Sequence, residues 1–257
     1  MPAKKLMQIR LLYDFLYFRC SIDYKEMENK YRFTGCTISS HNFRCFEKLN
    51  KEEKQLLDDN SVNIQYKKKE IICKQGGFVS HIMYVEKGLA KVFIDNGEHS
   101  LVLRIIPGGT FLGLATVSEE HNNYQYSAQA YVDTEIRQID VKIFRQLVDQ
   151  NSEFAREVID ILSSNSIQIY GRFFCLTHKQ AYGRLADILL CLSDHVFMKP
   201  EFDLPLSRKD LADLSGMSSE TVIRMLKKFH EDKLIDIEGK TFKVLDYNRL
   251  RRVSETG

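Results

Sequence analysis

Leu206-Ser-Arg-Lys-Asp-Leu-Ala-Asp-Leu-Ser-Gly-Met-Ser-Ser-Glu-Thr-Val-Ile-Arg-Met-Leu-Lys-Lys-Phe229 is the stretch on which the reading of this chain turns. Ser207 can cap the backbone amide three residues on, with Asp210 in the positive first turn. Leu211 and Leu214 share a face, Ala212 is small where a second helix must cross closely, and Gly216 can take the left-handed conformation that ends a helix. Ser218 opens a second helix. On that helix Val222, Leu226 and Phe229 recur at helical spacing as an inner face, while Glu220, Ile223, Arg224 and Lys227 line another. The pattern predicts two helices joined by a sharp turn, with one face to pack and one left free.

The free face suits a major groove. A carboxylate such as Glu220 accepts from cytosine N4, and a guanidinium such as Arg224, one turn on, forks onto guanine O6 and N7. The plainer alternative is a Glu-to-Arg helix pair worth about 0.2–0.5 kcal/mol. The next segment favours the groove: Leu234-Ile-Asp-Ile-Glu-Gly-Lys-Thr-Phe-Lys-Val-Leu245 alternates like two strands joined at Glu238-Gly239-Lys240, a hairpin beside a helix-turn-helix. Lys240 at its tip is placed for a phosphate.

From about Gly183 to Arg251 the sequence resembles the C-terminal DNA-binding domain of the Crp/Fnr superfamily of bacterial transcription regulators. The run Ser218-Ser-Glu-Thr-Val-Ile-Arg224 is similar to that family's recognition helix, whose Glu and following Arg read a TGA-type half-site. The resemblance implies base contacts from Ser219, Glu220, Ile223 and Arg224, and phosphate contacts from Arg208, Ser218, Thr221, Lys227 and Lys240. It also implies a homodimer on palindromic double-stranded DNA and a contact with RNA polymerase. Many relatives carry Arg just before the Glu; this chain has Ser219, so its operator is not given by the family's pattern.

Composition sets the limits. With 257 residues, 44% hydrophobic and 28% charged, the chain has the make-up of a globular protein with room for two cores. The net charge is +2, and residues 184–257 hold thirteen Lys and Arg against thirteen Asp and Glu. DNA affinity must therefore come from local patches, with Arg208, Lys209, Lys227, Lys228, Lys240 and Lys243 as candidates. Six cysteines, at 20, 36, 45, 73, 175 and 191, include no C-x-x-C pair and no zinc-type spacing, which points to a reducing cytoplasm. The apolar run Leu11 to Phe18 is broken by Asp14, is too short to span a bilayer, and has no cleavage site after it. Membrane attachment is not expected. No Walker loop, G-x-S-x-G, H-E-x-x-H or paired catalytic carboxylates appear, so neither catalytic nor metal-ligating residues are assigned.

Residues 1–42 read as an N-terminal extension. Met27 is a candidate start, the alternative being a genuine amphipathic arm before it. Phe43 to Asn60 reads as a short helical lead-in with Asn50 as a cap. Short strands then alternate with glycine turns: Asn63–Tyr66, Glu70–Cys73, Ile82–Val85, Ala90–Ile94, Leu101–Ile106 and Tyr126–Ile139. That spacing predicts an antiparallel β-roll, jelly-roll-like, over 43–150.

The order and the glycines of this region, Gly88, Gly109 and Gly113 among them, resemble the cyclic-nucleotide-binding domain of the same superfamily. Phe111-Leu-Gly-Leu-Ala-Thr-Val117 and Tyr126-Ser-Ala128 align with its phosphate-binding cassette. Nucleotide-binding members supply a Glu for the ribose and an Arg for the cyclic phosphate; Leu114 and Tyr126 stand in those places, beside Gly113 and Ser127. Without the guanidinium a buried phosphate loses a charge-assisted bidentate contact, so cyclic AMP is disfavoured and the effector is unassigned. An iron–sulfur cluster is disfavoured too, because Cys36-Thr-Ile-Ser39 has serine where a second ligand would stand and Cys36 with Cys45 are too few. A haem held by one of seven scattered histidines stays open for this superfamily, although a lone histidine is more often structural.

From Asn151 the period changes to about 3.6. Val158, Leu162, Ile169, Phe173 and Leu176, interrupted by Asn165 and Arg172, form a stripe expected to be the dimer seam of a long helix over 151–178, with Asn165 fixing the register. The alternative is a helix packed only on its own domain. Thr177 to Gln180 is the expected hinge, and Gly183 to Leu192 begins the last domain, 179–257. The fold class is therefore α+β: a β-roll, a dimerisation helix and a winged helix-turn-helix. A protein-interaction module that has lost DNA binding is the competing function, and the outward-facing Glu220 and Arg224 argue against it.

Overall fold

A computed structural model describes residues 38–39, 45–98 and 100–257. Residues 1–37, which include the Met27 start and Cys36, lie outside the described residues. The lead-in begins with a 3-10 turn at Cys45–Lys48 and helix α1 at Lys51–Asp59. Asn50 caps α1 as expected: the Glu53 amide donates to its Oδ1 at 2.9 Å, and the Asn50 amide donates to the Glu53 carboxylate at 2.8 Å.

The roll consists of two four-stranded sheets. One orders β1 (Ser61–Tyr66), β8 (Thr134–Asp140), β3 (His81–Lys87) and β6 (Thr110–Leu112); the other orders β2 (Ile71–Cys73), β7 (Ser127–Ala130), β4 (Leu89–Asp95) and β5 (Ser100–Pro107). Their pairings are all antiparallel. Inward residues of both sheets, including Met83, Val85, Val92, Ile106, Leu112 and Ile136, form a common core, as alternation predicts. At Gly88 φ is +106°, and a Cβ there would stand 2.6 Å from the Thr134 hydroxyl, so this turn requires glycine.

Two expectations for the roll are corrected. The single strand read over Tyr126–Ile139 is two strands, interrupted at 131–133, where the Tyr131 and Val132 amides turn to the Leu89 carbonyl. A helix over Val141–Gln150, α2, precedes the long helix, so the helical period starts ten residues earlier than expected. Asp140 caps it through the Lys142 amide at 2.7 Å, and Val141, Phe144 and Leu147 bury one face. Asn151 then accepts from the amides of Glu153 and Phe154 and starts α3, Ser152–His178. At 27 residues α3 is roughly 40 Å long. Its first turns close an aromatic cluster in which Phe46 meets Tyr84, Phe111 and Phe154, and Phe144 meets Phe111 and Phe154.

The C-terminal part contains α4 (Ala181–Cys191), a π-helical turn (Leu192–Val196), β9 (Glu201–Asp203), α5 (Arg208–Ser215), α6 (Ser219–Glu231), β10 (Ile235–Glu238), β11 (Thr241–Val244) and α7 (Tyr247–Thr256). Its core, built on Leu185, Leu189, Leu211, Val222, Phe229 and Phe242, is continuous with Leu89, Val102 and Ile105 of the roll. β9 and α7 were not read from the sequence. β9 adds a third strand to the predicted hairpin, with Phe202 opposite Phe242.

Candidate nucleic-acid interface and effector cassette

The helix-turn-helix forms for the reasons its sequence suggests. The Asp210 amide donates to Ser207 Oγ at 3.1 Å, and the Ser207 amide donates to the Asp210 carboxylate at 2.9 Å, a reciprocal cap. Gly216 ends α5 at φ +62°. Ser218 caps α6 by accepting from the Thr221 amide at 3.2 Å. Val222, Met225, Leu226 and Phe229 are buried, while Glu220, Ile223, Arg224 and Lys227 are exposed and Ser219 and Thr221 half-buried. Met225 joins the inner face at i+3 from Val222, a position the sequence reading passed over.

No described ion pair joins Glu220 to Arg224, so the intrahelical alternative is not what holds these side chains. Its own backbone amide and the Ser218 hydroxyl draw the Glu220 carboxyl below the usual carboxylate range. Lys227 faces Glu231 at 3.9 Å. The hairpin closes through Gly239 and Lys240, with Gly239 at φ +61°, Glu238 opposite Thr241 and Lys240 exposed at the tip. Arg208, by contrast, is half-buried on the first turn of α5.

The dimer-seam stripe divides. Val158 is 3% exposed inside the chain's own core, and Leu162 packs against the same cluster. Leu176 lies against the turn of the helix-turn-helix, its Cδ2 3.4 Å from where a Cβ on Gly216 would stand. Asn165 is half-buried, its Oδ1 enclosed and meeting no donor among the described residues. Of the stripe, only Ile169 and Phe173 face solvent. The physical reason is position along the axis: Ile169 and Phe173 share the helical face of Val158 and Leu162 but lie two or more turns further on, past the cluster that buries Phe154, Val158 and Ile161. The outward face is formed by Ile159, Ile167, Tyr170 and Phe173, with Tyr170 64% and Phe173 67% exposed.

In the cassette, β6 ends at Gly113, φ +86°, and a 3-10 turn follows at Leu114–Val117. Leu114 points into the apolar core and is buried. The Gly113 amide donates to the Tyr126 hydroxyl at 2.8 Å. Burial pushes the Tyr126 hydroxyl up to about 12, against the opposing pull of the Gly113 amide and the Arg104 guanidinium. Arg104, on β5, was not singled out by sequence; burial lowers its own pKa. Ser127 Oγ accepts from the Gln75 amide at 3.0 Å. Beside these groups lies a cavity of about 360 Å³ lined by Gly113, Thr116, His121, Asn123, Tyr124 and Tyr126. Among the described residues no cluster of His, Cys, Asp or Glu could hold a metal ion, and no helix is long and apolar enough to cross a membrane.

Comparison with known proteins agrees with this geometry. Residues 183–253 match the family model described as a Crp-like helix-turn-helix domain, and residues 63–151 match that described as a cyclic nucleotide-binding domain. The transcriptional activator protein FnrA of Stutzerimonas stutzeri is 28% identical over 205 residues, 77% of this chain and 83% of the relative. The cAMP-activated global transcriptional regulator CRP of Escherichia coli O157:H7 is 28% identical over 191 residues, 70% of this chain and 88% of the relative. The solved structure of FixK2 from Bradyrhizobium japonicum superposes with a TM-score of 0.70 at 20% identity, covering 75% of this chain and 96% of that one, which speaks for the fold. With a roll, a long helix and a helix-turn-helix in that order and both domain models met, the chain belongs to the Crp/Fnr superfamily of transcription regulators.

Proposed function

We propose that this regulator is a cytoplasmic homodimer that reads a palindromic DNA site, placing two α6 helices in successive major grooves about 34 Å apart. The observation that carries this reading is the outward face of α6: Glu220, Ile223 and Arg224 stand exposed on a helix whose opposite side is fully packed. Arg224 and Glu220 read bases, with Ile223 and Ser219 beside them; Ser218, Thr221, Lys227, Lys240 and Arg208 meet phosphates. The partner on α3 is a second copy of the chain, because Ile159, Ile167, Tyr170 and Phe173 otherwise leave an apolar face in water. Residues 43–150 act as sensor, 151–178 as dimer helix and hinge, and 179–257 as reader, with RNA polymerase as the downstream partner.

The sensor does not respond to cyclic AMP in this reading. Leu114 is turned into the core and the Tyr126 hydroxyl occupies the Gly113 amide, so the groups that would meet a ribose and a phosphate are engaged within the chain. The test is selection of bound sequences from a random duplex pool with the full-length protein, with and without cell extract. Enrichment of one palindrome supports the reading, and its dependence on extract separates an effector-driven regulator from a constitutive one. Recovery of no preferred sequence under either condition overturns it.

A further inference from the structure

α5, the first helix of the reading pair, is held at both ends by residues from outside its own domain. At its start Lys91 of β4 donates to the Asp210 carboxylate at 3.0 Å, and that carboxylate also completes the cap on Ser207. The pair is withdrawn from water, with side chains 12% and 18% exposed. The Lys91 ammonium stands 5.4 Å from the ring centroids of both Phe93 and Tyr131. The roll thus supplies the cation and two aromatic faces, and the reading domain supplies the anion.

At the other end the Arg172 guanidinium of α3 donates through Nη2 to the Val102 carbonyl of β5 at 3.1 Å and to the Leu214 carbonyl of α5. The Leu214 carbonyl belongs to the last turn of the helix, where carbonyls lack intrahelical donors and a cation is favoured. Arg172 is 4% exposed, yet its Nε and Nη1 meet no acceptor among the described residues. A buried cation with unmet donors is a poor stabiliser, and an apolar side chain would pack there at less cost. What this side chain provides is a position, because one nitrogen reaches the roll and the end of α5 together.

We propose that Lys91 and Arg172 are positioning residues of the DNA-reading unit: by gripping α5 at its two ends they fix the angle at which the roll and the long helix present α6. A change inside the roll that moved β4 or β5 would reach α6 through these two contacts. The inference rests on α6 as the reading helix for its effect on DNA, but not for its effect on geometry.

The test uses the full-length protein with a spin-labelled amino acid encoded at Phe78 in the roll and Arg252 on α7, diluted with unlabelled chains so that each measured pair lies within one chain. Pulsed dipolar spectroscopy without DNA should give a narrow distance distribution for the parent. Lys91→Met and Arg172→Met should each broaden it, and Lys91→Arg should keep it narrow. In unlabelled protein, Lys91→Met should weaken operator binding about tenfold with base preference unchanged, and Lys91→Arg should restore it. Should Lys91→Met not fold, Lys91→Gln, which retains most of the stem without the charge, is measured in its place. An unchanged distribution in both the Lys91 and Arg172 variants overturns the proposal, as does a broadened one with undiminished affinity. If the parent binds no DNA at all, the reading of α6 fails while the distances still decide the clamp.

Discussion

The cassette of the roll and the turn of the helix-turn-helix use the same backbone device, a glycine at positive φ beside a helical turn: Gly113 at +86° and Gly216 at +62°. What surrounds the two glycines differs. The amide of Gly113 is met by a hydroxyl of the same chain, and the next side chain, Leu114, is buried. After Gly216 the chain turns Glu220, Ile223 and Arg224 outward and keeps only apolar residues for itself. Glycine preserves the shape of both turns whatever the chemistry at their ends, so shape alone does not tell a site that serves a ligand from one that has closed on itself. The side chains decide, and they decide in opposite directions in the two regions.

The largest effect should come from the surface on α3 proposed to pair two copies of the chain. Replacing Tyr170 and Phe173 together with Asp places two charges on the apolar face of α3 and should yield monomers by sedimentation at micromolar concentration. Losing the second half-site should then cost about 10²–10⁴-fold in operator affinity. The comparison replacement, Leu162→Asp, should instead lower the melting temperature, because Leu162 packs on the chain's own core. A monomeric parent protein would remove the argument for pairing.

Within the open region, Arg224→Ala should flatten preference at one guanine per half-site by about 1–3 kcal/mol. Glu220→Ala should relax the preference at a neighbouring cytosine. Equal weakening on every sequence would make Arg224 a phosphate contact and misplace the reading face. Lys240→Ala should weaken all duplexes alike and lower the salt slope by about one unit, since it carries no base information. Binding titrations at two salt concentrations on the operator and its single-base variants separate the two kinds of residue.

In the closed region, Tyr126→Phe removes the hydroxyl that meets the Gly113 amide. The net cost of one such bond is about 0.5–1.5 kcal/mol, read as a shift in denaturation midpoint. No measurable change would mean that water from the neighbouring cavity replaces the hydroxyl at no loss.

The reading helix was legible because its caps, its glycine and its inner face are local: Ser207, Gly216, Ser218, Val222 and Phe229 act over three or four residues, and sequence displays that range directly. The strands were legible through their glycine turns. What sequence did not give depends on which neighbour a face meets. Val158, Leu162, Phe173 and Leu176 keep helical spacing, yet the first two meet the chain's own core, Phe173 meets solvent and Leu176 meets the turn of the helix-turn-helix, and nothing in the period distinguishes these. α2 carried its own signals in Asp140, Phe144 and Leu147, and was missed because the strand before it was read through to its cap. Lys91 gave no signal, and Arg172 showed only as a break in the apolar stripe, since their partners lie 119 and 42 residues away.

The smallest expected effect is the most discriminating for the comparison of the two regions. Millimolar cyclic AMP should leave both the melting temperature and the operator affinity unchanged. A ligand that binds only the folded state stabilises it by about 2.7 kcal/mol at a hundred times its dissociation constant, so even weak specific binding would be visible. Two features make the null result an expectation with content. The cavity of about 360 Å³ remains beside the cassette, so space is not what excludes a nucleotide. The obstacle is chemical, because the Gly113 amide is already engaged and Leu114 offers a ribose nothing to bond. A melting shift with the parent protein would show that Tyr126 gives way to a phosphate and that the cassette is open after all. A shift appearing only in Tyr126→Phe would show that the hydroxyl is what closes it, and the difference between the two regions would reduce to one oxygen atom.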